Sequence, residues 1–135
     1  MSSVINEVVE AVIGLINAYS PFATVTRGAL PTGMGLTCEV GPSTPSEVYL
    51  DKNSYIPLDI TINGKHPSLE LLSDTMNDIH GNLTRAKSYP SDTSKSHRWQ
   101  IVDITTYSLP QIIGREDNND WLMASSLSVR VYWEG

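Results

Sequence analysis

Apolar residues along this chain change their spacing from helical to alternating and back again, and the order of those changes constrains the fold more tightly than any single residue. Leu69, Leu72, Met76, Ile79 and Leu83 follow a 3-4-3-4 spacing, with Glu70, Asp74, Asp78 and Arg85 off the stripe. A stripe of that period is an amphipathic helix laid on a core. Pro67 suits its first turn, and Gly81 weakens its last by about 1 kcal/mol relative to Ala. Ile5, Val8, Val9, Val12, Leu15, Ile16 and Tyr19 form an earlier stripe of the same period. There Ser2 and Ser3 are N-cap candidates, Glu7 and Glu10 put negative charge in the early turns, and Pro21 ends the helix.

Between and after the helices the period is two. Phe22 to Leu30 carries β-branched residues, and Leu36 to Val40 reads as its return strand, so the pair is expected to form a hairpin through the turn at Gly33 and Gly35. Residues 41–46 have loop composition, and Glu47 to Leu50 suit an edge strand. Leu58, Ile60 and Ile62 then alternate with Asp59, Thr61 and Asn63, and Pro57 belongs near that strand's start or on an edge. Two long strands close the chain. In the first, Trp99, Ile101, Asp103, Thr105 and Tyr107 share a face opposite Val102 and Ile104; in the last, Leu127, Val129, Val131 and Trp133 lie opposite Ser128, Arg130, Tyr132 and Glu134. The polar centre of Ile112 to Trp121 is expected at an exposed hairpin tip, and Ser88 to Ser96 in a surface loop. The expected fold is a single α+β domain, residues 1–135, with a mostly antiparallel sheet and two main helices packed on one face.

Composition limits the functions open to such a domain. A net charge of -6 with nine scattered Lys and Arg residues argues against a surface that grips nucleic-acid phosphates, which needs clustered cations. Cys38 is the one cysteine, so the chain has no internal disulfide and no cysteine cage for zinc. Val4 to Ile16 lacks a basic start and is interrupted by Asn6, Glu7 and Glu10, unlike a signal peptide or a membrane span.

No catalytic or cofactor motif emerges. His66, His80 and His97 lack metalloprotease spacing and read as surface or helix-capping residues; Glu116-Asp117-Asn118-Asn119-Asp120 lacks the order of a calcium loop and reads as a solvated turn. Cys38 inside a strand is expected to be a buried inert thiol, and Trp99, Trp121 and Trp133 to be core or interface aromatics. No catalytic, metal or cofactor residue is therefore assigned.

Three segments carry a family likeness: Tyr55-Ile-Pro-Leu-Asp-Ile-Thr-Ile-Asn-Gly-Lys65, the striped helix Leu69 to Leu83, and Trp99 to Trp133 with its internal Tyr-Ser-Leu-Pro-Gln-Ile-Ile-Gly-Arg-Glu-Asp-Asn-Asn-Asp-Trp run. Together, over about 80 residues, they resemble the tail-terminator and minor capsid proteins of long-tailed (siphovirus-type) bacteriophages of Gram-positive hosts. The resemblance implies a virion protein made in the host cytoplasm that forms a ring, commonly a hexamer, at the head-proximal end of the tail tube. Its implied partners are further copies of itself, the tail-tube protein and the head-tail connector, with DNA passing through the lumen without sequence-specific binding. Glu116, Asp117 and Asp120 are then candidate lumen or subunit contacts, and the Ser88 to Ser96 loop a segment that orders on assembly. Still open beside it are a head-completion protein of the phage neck, a small enzyme with a concave polar pocket, and a non-viral adaptor with one exposed apolar patch.

Overall fold

The computed structural model describes residues 2–19, 21–28, 30, 34–40, 53–86, 88–91, 99–116 and 119–134, with side chains described from Ile5 and, in the strand that opens at Asn53, from Pro57, and up to Tyr132. The chain runs α1 (Ser2–Asn17), β1 (Val25–Thr26), β2 (Gly35–Val40), β3 (Asn53–His66), α2 (Leu69–Thr84), β4 (Trp99–Arg115) and β5 (Trp121–Glu134). The strands form one sheet in the order β1-β2-β3-β5-β4, antiparallel at every junction except β1 with β2. This is the expected α+β architecture. Neither helix is long and apolar enough to cross a membrane.

Both helical stripes face the sheet. Val8, Val9, Val12, Ile13 and Ile16 of α1 are buried, as are Leu72, Met76, Ile79, His80 and Leu83 of α2. They join Leu58, Ile60 and Ile62 of β3 and Leu127, Val129 and Val131 of β5 in one cluster, while Asp59, Thr61, Ser126 and Ser128 on the opposite sheet face are half-buried. One apolar face and one polar face is the usual economy of an antiparallel sheet covered on a single side.

Gly64 marks where helix and sheet come closest. A Cβ built there lies 2.7 Å from Leu72 Cδ1 and 3.1 Å from both Leu36 Cδ2 and Met76 Sδ. Asn63 and Gly64 continue β3, paired with β2 on one side and β5 on the other, and the glycine leaves room for α2. The helix starts two residues later than its proline suggests. Ser68 is the N-cap, its Oγ accepting from Leu71 N at 3.3 Å, and His66 Nδ1 accepts from Ser68 N at 2.8 Å.

Three further expectations change. First, α1 already includes Ser2 and Ser3, so neither precedes it as a cap, and it ends at Asn17, leaving Tyr19 48% exposed. Second, β1 and β2 are parallel, with Val25 opposite Leu36, and do not form a hairpin. The Asn17 side chain holds Val25 through both its N–H (2.8 Å) and its carbonyl (3.3 Å), and Arg27 donates to Glu39 Oε1 at 2.6 Å. These bonds fix the exit of β1 beside the far end of β2, where a hairpin would bring it beside the near end. Third, β4 loses its alternation at once. Ile101 pairs with Val131 and Asp103 with Arg130, so Val102 is a bulge, and the buried residue after Ile101 is Ile104 rather than Asp103. Pro57 lies near the start of β3, beyond its last described pair with β2, as expected. The loop at 41–46, the strand at Glu47 to Leu50, the turn at Gly33 and His97 lie outside the described residues.

Candidate interaction surface

β4 is an outer strand of the sheet and spans 17 residues. Among the described residues its outer backbone is met by residues 90 and 91, where Ser91 bridges to Gln100 and Ile101 N donates to Pro90 O at 3.0 Å. That contact is anchored by Tyr89, whose hydroxyl donates to Leu83 O at 2.8 Å. Ser88 to Ser91 thus lie against the fold, and the rest of the expected Ser88 to Ser96 loop is outside the described residues.

Beyond Ile101 the strand presents apolar side chains to solvent. Tyr107 is 71% exposed, Leu109 66%, Ile112 52% and Ile113 60%. With about 200 Å² available to each such residue when fully exposed, these fractions correspond to roughly 500 Å² of exposed side chain. That area is distributed around the edge strand, since the register sets Ile112 opposite the buried Met123 while Ser108 and Gln111 lie opposite Ser126 and Ala124 on the other face; large apolar side chains exposed so close together on an outer strand mark an interaction surface more often than single scattered ones do. Period-two alternation alone does not reveal these residues, because it extends only to Tyr107 and the polar run that suggests a hairpin tip starts at Ile112. The signal was Pro110, which a strand accepts at an edge or bulge, with large apolar residues on both sides.

The hairpin tip differs from its expected form. It is shorter, running from Glu116 to Asp120, and closes through Glu116 N to Asp120 O and Asn119 N to Glu116 O, both at 2.8 Å, with Asn119 at φ 72°. Glu116 is exposed, but its Oε1 accepts from Lys65 Nζ at 3.0 Å, and that ammonium is almost wholly buried. Asp120 is buried, at 7% exposure, so it is not part of an exposed acidic tip; Asp117 lies outside the described residues. Arg115 stacks over the Trp121 ring at 4.6 Å. The turn is pinned to β3 and to its own hairpin by an ion pair and a cation-π contact, and its negative charge is partly neutralised.

Two other groups of polar residues bear on chemistry. His80 is buried, contrary to its expected surface position, with Nδ1 2.9 Å from Thr106 Oγ1 and Nε2 2.8 Å from Ser125 Oγ. Burial holds its pKa below the ordinary value, favouring a neutral ring with one nitrogen donating and one accepting. The imidazole ties α2 to β4 and β5. Cys38 is fully buried, and loss of solvation, with the Glu39 carboxylate nearby, pushes its thiol up to about 12. A thiol so protonated is a poor nucleophile, as the strand position suggested. Among the described residues no group of His, Cys, Asp and Glu side chains has the arrangement of a metal site.

The end of α1 and one side of α2 bound an open cleft of about 300 Å³. Ile16, Tyr19, Phe22, Leu71, Ile79 and Leu83 supply its apolar walls, with Thr75, Asp78 and Asn82 beside them. Trp99, buried, donates from Nε1 to Glu7 Oε1 at 2.7 Å, so this tryptophan joins α1 to β4 across the core.

No protein-family model matches the chain, and no curated protein matches it.

Proposed function

We propose that the protein is a non-catalytic assembly subunit, and specifically a phage tail terminator that forms a ring at the head-proximal end of the tail tube. The observation that carries the assembly reading is the exposed apolar row Tyr107, Leu109, Ile112 and Ile113 on a strand at the border of the sheet. Leaving that row in water is unfavourable at roughly 25 cal/mol per Å², and a second protein surface removes the penalty. The tail-terminator role itself rests on the resemblance of residues 55–65, 69–83 and 99–133 to that family. The acidic balance of the chain suits a ring through which DNA slides without sticking. A head-completion ring in the neck uses the same surface in a different place.

The test is mass analysis by sedimentation over a wide concentration range, with electron microscopy of the protein mixed with purified tail tubes. The expected result is a closed oligomer, alone or on tubes, that caps one tube end and blocks further growth. Binding to the head connector with no effect on tubes would move the assignment to the neck. A chain that stays monomeric and touches neither structure, yet holds an unrelated protein on the β4 row, would make it an adaptor.

A further inference from the structure

We infer that the buried His80 sets the phase of β4, holding Thr106 against the core so that Tyr107 is presented on the outside of the sheet. What Tyr107 contacts there rests on the assembly reading; the residue that places it does not.

β4 is longer than the stretch of β5 that it follows. Ile101 lies opposite Val131 and Ile112 opposite Met123, so residues 102–111 run beside residues 124–130 and β4 must accommodate three more residues than its partner. The first extra residue falls between Ile101 and Asp103, where it lets Ile104 rather than Asp103 reach the core. Apolar burial accounts for that shift. The second falls between Thr106 and Ser108, and here burial points the other way. Thr106 takes the core-facing place opposite Leu127, while Tyr107, the larger and more apolar of the two, stands 71% exposed. Moving the extra residue back to Thr105 would put Tyr107 opposite Leu127 and leave Ile104 and Ser108 with the partners they have. The apolar pattern by itself therefore favours the other phase.

What favours the observed phase is polar. His80 reaches from α2 with Nδ1 2.9 Å from Thr106 Oγ1 and Nε2 2.8 Å from Ser125 Oγ. Ser125 in turn lies opposite the next shift, since Ser108 pairs with Ser126 and Gln111 with Ala124. His80 is 4% exposed and Ser125 3%, so a ring nitrogen that lost its hydroxyl would have little access to bulk water in exchange. With Tyr107 inward, the Thr106 hydroxyl turns to the other face of the sheet and Nδ1 loses its partner. The tyrosine hydroxyl, at the far end of its ring, falls well beyond the place of Thr106 Oγ1. A buried polar cluster that is paired in one register and unpaired in the next selects the first, even where apolar burial leans to the second.

The test is nitration of the full chain with tetranitromethane at concentrations where it is monomeric, with the modified tyrosines located by peptide mass mapping. In the unmodified protein Tyr107 should react faster than Tyr19, Tyr89 or Tyr132. In His80→Leu, with folding verified by circular dichroism, nitration of Tyr107 should fall several-fold while that of Tyr19 stays as it was. Lost stability alone does the reverse, raising reactivity at every tyrosine. Thr106→Ser keeps a hydroxyl in place and should react like the unmodified protein. Should His80→Leu misfold around its unpaired Ser125, the double variant His80→Leu/Ser125→Ala removes both partners and repeats the test. Unchanged or faster nitration of Tyr107 in the folded variant overturns the inference. Sedimentation of the same variants separates this result from the assembly reading. Weaker association together with slower nitration supports both; slower nitration with association intact keeps the phase assignment and takes Tyr107 out of the contact surface. An unmodified protein that never associates overturns the assembly reading alone.

Discussion

Replacing Gly64 with alanine tests how closely α2 approaches the sheet. The added Cβ falls about 0.7 Å inside the 3.4 Å lower limit of ordinary contact with Leu72 Cδ1, and also crowds Leu36 Cδ2 and Met76 Sδ. All three neighbours are at most 1% exposed, so none can swing into solvent. Overpacking of this kind costs about 1–3 kcal/mol. The lower entropy of the unfolded chain offsets roughly 0.4–1 kcal/mol. Gly64→Ala should therefore lose about 1–2 kcal/mol, read as a urea midpoint lower by about 1 M. A double-mutant cycle locates the cause. Leu72→Ala alone should cost about 2–5 kcal/mol through its cavity, but in combination the new methyl no longer clashes, and the two losses should fall short of additivity by about 1 kcal/mol. Gly81→Ala serves as the control, because its Cβ meets only the mobile end of Arg85 and the helix interior gains about 0.5–1 kcal/mol. The same substitution should thus have opposite signs at the two sites. A neutral Gly64→Ala, or full additivity with Leu72→Ala, would refute the close approach.

Two further outcomes follow from buried polar groups. His80 has a folded pKa below its ordinary value of 6.5, so the unfolded chain takes up its proton first as pH falls. Its effect is absent well above pH 6.5; below that, stability declines with falling pH and levels off beneath the folded pKa. Urea midpoints at pH 7.5 and 5.0 should show this slope, and it should shrink in His80→Gln; an unchanged slope would assign it elsewhere. Glu116→Gln should cost about 1–2 kcal/mol by leaving the buried Lys65 ammonium without its carboxylate, less than the 3–5 kcal/mol of a fully buried pair because Glu116 is 41% exposed. Adding Lys65→Met should recover most of that loss. If Glu116→Gln instead abolished assembly at unchanged stability, the turn would act as a contact rather than as a strut.

The site was less legible than the fold because its decisive features are matters of register. The row at Tyr107, Leu109, Ile112 and Ile113 contains ordinary strand residues whose exposure depends on which strand lies beside them. Bulges at Val102 and beyond, set by pairing with β5, rotated these side chains out of the alternation that their spacing implied. Glu116 and Asp120 read locally as an acidic turn, but the partner of Glu116 is Lys65, 51 positions away. His80 read as a residue beside a stripe because nothing local announces two hydroxyls reached from positions 106 and 125.

The sequence by itself determined both helices, the alternation of β3 and β5, the α+β class and the buried thiol of Cys38. Each follows from a period or composition that acts over a few neighbouring residues, where side-chain direction is fixed by backbone geometry alone. Tertiary structure decided the parallel entry of β1, the phase of β4, the burial of Asp120 and His80, and the apolar row at the sheet border. Those depend on hydrogen bonds and contacts between residues far apart in the chain, and one inserted residue in a strand reverses the face of those that follow.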